Sequence, residues 1–202
     1  MDLDDELRRR WAATLPGADD VGEELLRRWS EPHRVYHDTR HLLDVLETID
    51  GLAALVDDPT TVRLAAWFHD AVYDVGADGN EERSAQLAEQ MLLGRVADPG
   101  GVARLVRVTA GHDPADGDQH GQVLCDADLA VLGASPDRYA AYAEGVRREH
   151  SAVPDAEFAP ARADILRKLL DRPRLYRTDP AHEWWERPAR LNVAHEVSRL
   201  QA

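Results

Sequence analysis

At 202 residues, 44% of them apolar, the chain is long enough to bury a sizeable core, which excludes disorder as its main state. Acidic residues outnumber basic ones 38 to 24, and the net charge of -14, with no basic cluster outside Arg8-Arg9-Arg10, excludes a long nucleic acid as partner. One cysteine, Cys125, rules out a disulfide framework or multi-thiolate zinc site; one lysine, Lys168, with no glycine-rich loop before it, rules out P-loop and Schiff-base chemistry.

Met1-Asp2-Leu3-Asp4-Asp5-Glu6 lacks the basic start and apolar stretch of a signal peptide. No run approaches the roughly 18 apolar residues of a membrane span, so a soluble cytoplasmic protein without a membrane partner is expected. Apolar spacing is helical throughout and no β-branched alternation suits a sheet. Helices are predicted over 3–14, 19–30, 37–55, 60–73, 80–94, 99–111, 126–133, 136–149, 155–171 and 180–200. Asp-Pro pairs at 58–59, 98–99, 113–114 and 179–180 mark breaks, as do Pro16-Gly17 and Gly133-Ala134-Ser135-Pro136. With no repeat or linker, the expectation is one all-α domain over 1–202, open to forming a homodimer.

The third helix opens on Tyr36-His37-Asp38-Thr39-Arg40-His41, which puts His37 and His41 at i and i+4 on one face. Both rings can point into one pocket, although an exposed or capping pair has the same spacing. The fourth helix carries Trp67-Phe68-His69-Asp70 within apolar residues. Burying an imidazole beside a carboxylate costs several kcal/mol unless each finds a partner. A divalent cation satisfies both, as a simple His-Asp hydrogen bond also does. Asp74 is placed one turn beyond Asp70, where it orients water, assists a second metal or ends the helix.

Asn80-Glu81-Glu82-Arg83-Ser84 opens the next helix. Arg83 there is a candidate phosphate clamp or one half of an ordinary Glu-Arg pair. Arg34, Arg40 and His33 are further candidates for substrate contact, and His112 closes the helix before the polar stretch Asp113 to Gln122; His120 in that stretch carries little weight. In Cys125-Asp126-Ala127-Asp128-Leu129, Asp126 suits an N-cap and Asp128 the first turn of an apolar helix. Cys125 reads as a buried thiol, and Trp184-Trp185 as core or interface aromatics.

The ordered set His41, His69-Asp70 and Asp128 resembles the HD superfamily of metal-dependent phosphohydrolases. It is most similar to the small bacterial group with a Tyr-His-x-x-x-His helix, a Trp-Phe-His-Asp helix, an Asn-Glu-Glu-Arg-Ser helix start and an Asp-Ala-Asp-Leu helix. The likeness covers about residues 30–135. It implies an HD-type bundle of about eight to ten helices and a divalent metal (Mn, Fe, Co, Ni, Zn or Mg) held by His41, His69, Asp70 and Asp128. The first motif also resembles that of cyclic-nucleotide phosphodiesterases, which implies His37 as proton donor; Asp38 stands where those enzymes have Asn. His112 resembles a position that binds a second metal or a substrate phosphate in some HD proteins. The expected activity is hydrolysis of a small phosphorylated substrate, a nucleotide among them, by metal-activated water. An HD-like di-iron oxygenase and a non-catalytic metal-binding or nucleotide-binding regulatory module are the alternatives.

Overall fold

A computed structural model describes residues 2–201. Among them the structure is all-α, with ten α-helices and no strand. The helices are α1 (Leu3–Thr14), α2 (Asp19–Trp29), α3 (Thr39–Leu52), α4 (Pro59–Phe68), α5 (Asn80–Leu92), α6 (Pro99–Val108), α7 (Gln119–Asp128), α8 (Pro136–Glu149), α9 (Asp155–Leu170) and α10 (Asp179–Leu200). Short 3-10 turns follow α3 at Ala53–Leu55 and α7 at Leu129–Gly133. No helix among the described residues is long and apolar enough to cross a membrane. The chain divides into two compact units, Met1–Ala127 and Asp128–Ala202.

Local chemistry fixes where helices start. Asp58 and Asp98 accept backbone N–H groups of their own first turns, with Pro59 and Pro99 directly behind them at positions whose missing N–H costs nothing. In the first unit, one face of each helix buries Leu7, Trp11, Leu25, Trp29, Leu42, Leu46, Ile49, Trp67, Phe68, Leu92 and Leu105 in a continuous core. Trp11 lies across Gly22 so closely that a Cβ there would sit 2.3 Å from the indole Cδ1. Its indole N–H donates to the Ala18 carbonyl at 2.8 Å, and its ring meets Trp67 edge to face at 5.2 Å. Cys125 is buried, as expected.

The second unit has its own core, with Leu132, Leu166, Tyr176, Ala189 and Val193 at its centre and Trp185 packed against it, while Trp184 is half exposed. The Glu186 carboxylate accepts the backbone N–H groups of Leu175 and Tyr176, fastening the loop before α10. Burial opposes its ionisation, but these donors and Arg190 outweigh that and hold its pKa below the ordinary range.

Helices α5 and α6 end two and three residues earlier than predicted, at Leu92 and Val108, and three further differences move candidate residues. Helix α3 starts at Thr39 rather than 37, because Asp38 is its N-cap and accepts from the N–H groups of Arg40 (2.8 Å) and His41 (3.2 Å). His37 therefore precedes the helix instead of sharing a face with His41. Helix α4 ends at Phe68 rather than 73, so Asp74 lies in a loop and not one turn beyond Asp70. Helix α7 starts at Gln119 rather than 126: the Asp118 carboxylate accepts the Gly121 N–H at 3.1 Å, and the end of the polar stretch, residues 119–122, is helical. Asp126 is thus a fully buried residue inside α7, not an N-cap, and Asp128 ends that helix instead of lying in its first turn.

Candidate metal centre

Helix α3 leaves its cap with His41 in the first turn, buried to 3% exposure, and α4 delivers His69 at its C-cap, buried to 1%. The two Nε2 atoms face each other at 3.3 Å, and His69 Nε2 lies 3.3 Å from Asp70 Oδ2. Donor atoms of His41, His69 and Asp70 all fall within 4.8 Å of one another, so this group can hold a metal ion.

The tautomer of His69 is set from behind. Its Nδ1 lies 2.7 Å from the Ala66 carbonyl oxygen, which only accepts, so Nδ1 carries the proton and donates. In the neutral ring Nε2 then presents its lone pair towards His41 and Asp70. A backbone carbonyl holding the far nitrogen is the usual support of a ligating histidine. Two imidazole nitrogens at 3.3 Å must share a proton or a cation. Ligands about 2.0–2.1 Å from one ion at a tetrahedral angle are about 3.3 Å apart, so the spacing fits. Carboxylate and imidazole together suit Mn, Fe, Co, Ni or Zn, with Mg a poorer match to nitrogen.

Below the rings, Trp29 lies with its centroid 6.1 Å from that of His41 and 5.3 Å from that of His69. Its indole N–H donates to the Trp67 carbonyl at 2.9 Å. His37, although outside the helix, stays close: its ring centroid is 5.6 Å from His41, 4.9 Å from Tyr36 and 4.5 Å from Tyr73. It lies beside the donor group without belonging to it.

The segment after His69 has left the helix, and side chains occupy its backbone carbonyls. Arg34 donates to the carbonyl of Ala71 (3.5 Å), Ser84 to Val72 (3.3 Å) and Asn80 to Asp74 (3.1 Å), and His33 Nε2 sits 2.8 Å from the carbonyl of Tyr73. Asn80 and Ser84 also accept the N–H groups of Asp74 and Val72, each at 3.0 Å. The Asn80-to-Ser84 motif therefore builds the turn that presents Asp70.

The remaining candidates are placed otherwise. Arg83 pairs with Asp74 and Asn80, and the Arg83 hydrogen bond, opposed by some desolvation, holds the Asp74 carboxyl below its usual pKa. Asp74 is not one turn beyond Asp70, because its helix has ended, and Arg83 stands in a solvent-accessible ion pair with Asp74 rather than with a glutamate of its own helix. Arg40 is exposed and pairs with Asp44 at 3.0 Å, one helical turn on. Arg34 is buried rather than open to substrate, with no exposed side-chain surface. His112 follows α6 in the left-handed region, φ 46°, held by its N–H on the Val108 carbonyl, outside the donor group. His120 lies on α7 against Asp57 at 3.1 Å. Asp128 opens the second unit. Sequence reasoning missed Trp29, Tyr73, Asn80, Ser84 and the Ala66 carbonyl. Only the Asn-Glu-Glu-Arg-Ser motif carried a visible signal for any of them.

The chain matches no family model, no curated protein and no solved structure. Its functional reading therefore rests on the residues themselves and on the motif resemblance.

Proposed function

We propose that this chain is a metal-dependent phosphohydrolase of the HD type, acting on a phosphate ester of a nucleotide or another small phosphorylated metabolite. The observation that carries the reading is the convergence of His41 Nε2, His69 Nε2 and the Asp70 carboxylate, with the His69 tautomer fixed by the Ala66 carbonyl. When bound there, a divalent cation supplies Lewis acidity towards phosphoryl oxygens and water. His41 and His69 bring no charge to the ion as neutral ligands, and Asp70 brings one negative charge.

The chain's own groups supply the rest. His37, half-buried between Tyr36 and Tyr73, holds a proton for the leaving oxygen of the ester. Trp29 and the core around it keep water from the imidazole faces that they cover, while Asp70 is partly exposed. Arg83 and Arg40, both partly exposed, can turn from Asp74 and Asp44 to a phosphate at a modest cost, because exposed ion pairs are weak.

Metal content of the purified protein, paired with phosphate release from a nucleotide panel, tests the proposal. Wild type is expected to bind metal and release phosphate, and Asp70→Ala to lose both, with hydrolysis down by about 100-fold or more. Wild type without metal after reconstitution overturns the metal reading; bound metal without turnover of any nucleotide overturns the hydrolase reading.

A further inference from the structure

Arg34 has a completely buried side chain three residues before His37, and its partners explain why a cation is kept there. Nη1 donates to the His37 carbonyl at 3.0 Å, and Nη2 to the Ala71 carbonyl at 3.5 Å. Nε and Nη2 both reach Glu31 Oε2 at 3.3 Å, a carboxylate that offsets the cost of burying the charge. The guanidinium carbon also lies 5.3 Å from the ring centroids of both Trp29 and Tyr73, within cation–π range.

Those partners belong to two different pieces of the candidate centre. His37 leads into α3, which carries His41; Ala71 follows Asp70 in the turn that carries His69. Trp29 contacts both imidazoles and Tyr73 contacts His37. We propose that Arg34 is a positioning residue of the metal centre: one guanidinium ties the lead-in of α3 to the His69-Asp70 turn and thereby sets the separation of the donor atoms. This rests on the metal reading of the preceding section.

The geometry calls for arginine in particular. A planar fork can donate in three directions at once while offering two flat faces to aromatic rings. A lysine ammonium in the same cavity keeps the charge but is a single point, unable to span carbonyls on two segments and stack between two rings.

The test compares Co2+ binding to wild type, Arg34→Lys and Glu31→Gln, by titration and by the visible absorption of the bound ion, with the fold of each metal-free protein followed by circular dichroism. Wild type is expected to bind. Arg34→Lys, folded, is expected to bind about 10-fold or more weakly and with a shifted absorption spectrum, as loss of a ligand-orienting contact does. Glu31→Gln is expected to weaken binding by a smaller factor in the same direction. Wild-type affinity and an unshifted spectrum in Arg34→Lys overturn the proposal. If Arg34→Lys does not fold, Glu31→Gln carries the test, and unchanged affinity and spectrum there overturn it. Failure of wild type to take up Co2+ is a different result, which removes the metal reading itself.

Discussion

Arg27 and Arg28 close on the Glu24 carboxylate from the next turn of α2, with nitrogens 2.7–2.8 Å from its oxygens. Hydrogen bonding from Arg27 leads this effect, desolvation works against it, and with Arg28 the net result holds the carboxyl at about 2. A folded-state pKa below the unfolded one means that the stabilisation is complete above about 4.5 and is lost as pH falls towards about 2. Because the pair is partly solvated, Glu24→Gln is expected to cost only about 0.5 kcal/mol at pH 7. Denaturant unfolding of both proteins from neutral to acid pH checks this, and a difference as large at pH 2 as at pH 7 contradicts it. At this scale the sequence was informative wherever a side chain announces its chemistry: His41, His69 and Asp70 were all named from it. It was silent about the Ala66 carbonyl, because every residue has one, and it misjudged Arg34, because an arginine looks the same whether it faces solvent or braces two loops.

Helix packing yields a sharper expectation at Gly22. The Trp11 indole occupies the space that a Cβ would need, and Trp11 is itself fixed by Ala18 and Trp67. Gly22→Ala is therefore expected to force α1 and α2 apart and cost about 1–3 kcal/mol despite the better helix propensity of alanine. A melting temperature at or above that of wild type would show that Trp11 can move aside. Eight of the ten helical segments were legible to within three residues at each end from apolar spacing, Asp-Pro breaks and caps. The ends that failed share one cause, which is that side chains compete with the helix for backbone groups. Asp38 was taken as a helical residue and is a cap. Residues 69–74 continue the apolar pattern of α4, yet Ser84, Asn80, His33 and Arg34 claim their backbone groups. Asp126 has the look of a cap, but Asp118, hidden in a stretch of polar residues and glycine, begins the helix earlier.

For the whole molecule the dominant electrostatic fact is the net charge of -14. A cation approaching such a surface is attracted from beyond contact range, and added salt screens that attraction with a Debye length near 3 Å at about 1 M against 30 Å at about 0.01 M. Stopped-flow mixing with Co2+ is expected to give association several-fold slower in about 0.5 M salt than in about 0.01 M. A rate independent of salt would mean that the surface charge plays no part in metal uptake. The fold class was readable from periodicity alone, whereas the division into Met1–Ala127 and Asp128–Ala202 was not, because no glycine-rich or proline-rich linker marks it: the boundary falls at the end of α7, in the middle of the Asp-Ala-Asp-Leu motif.

All but one of the 24 cationic side chains are arginines, and the exception, Lys168, is exposed on α9 in the second unit. Acylating reagents that seek side-chain amines thus find a single address, and every guanidinium that braces the His-Asp group is chemically invisible to them. A dye, a biotin or a solid support can be attached at that one position without altering any arginine of the first unit.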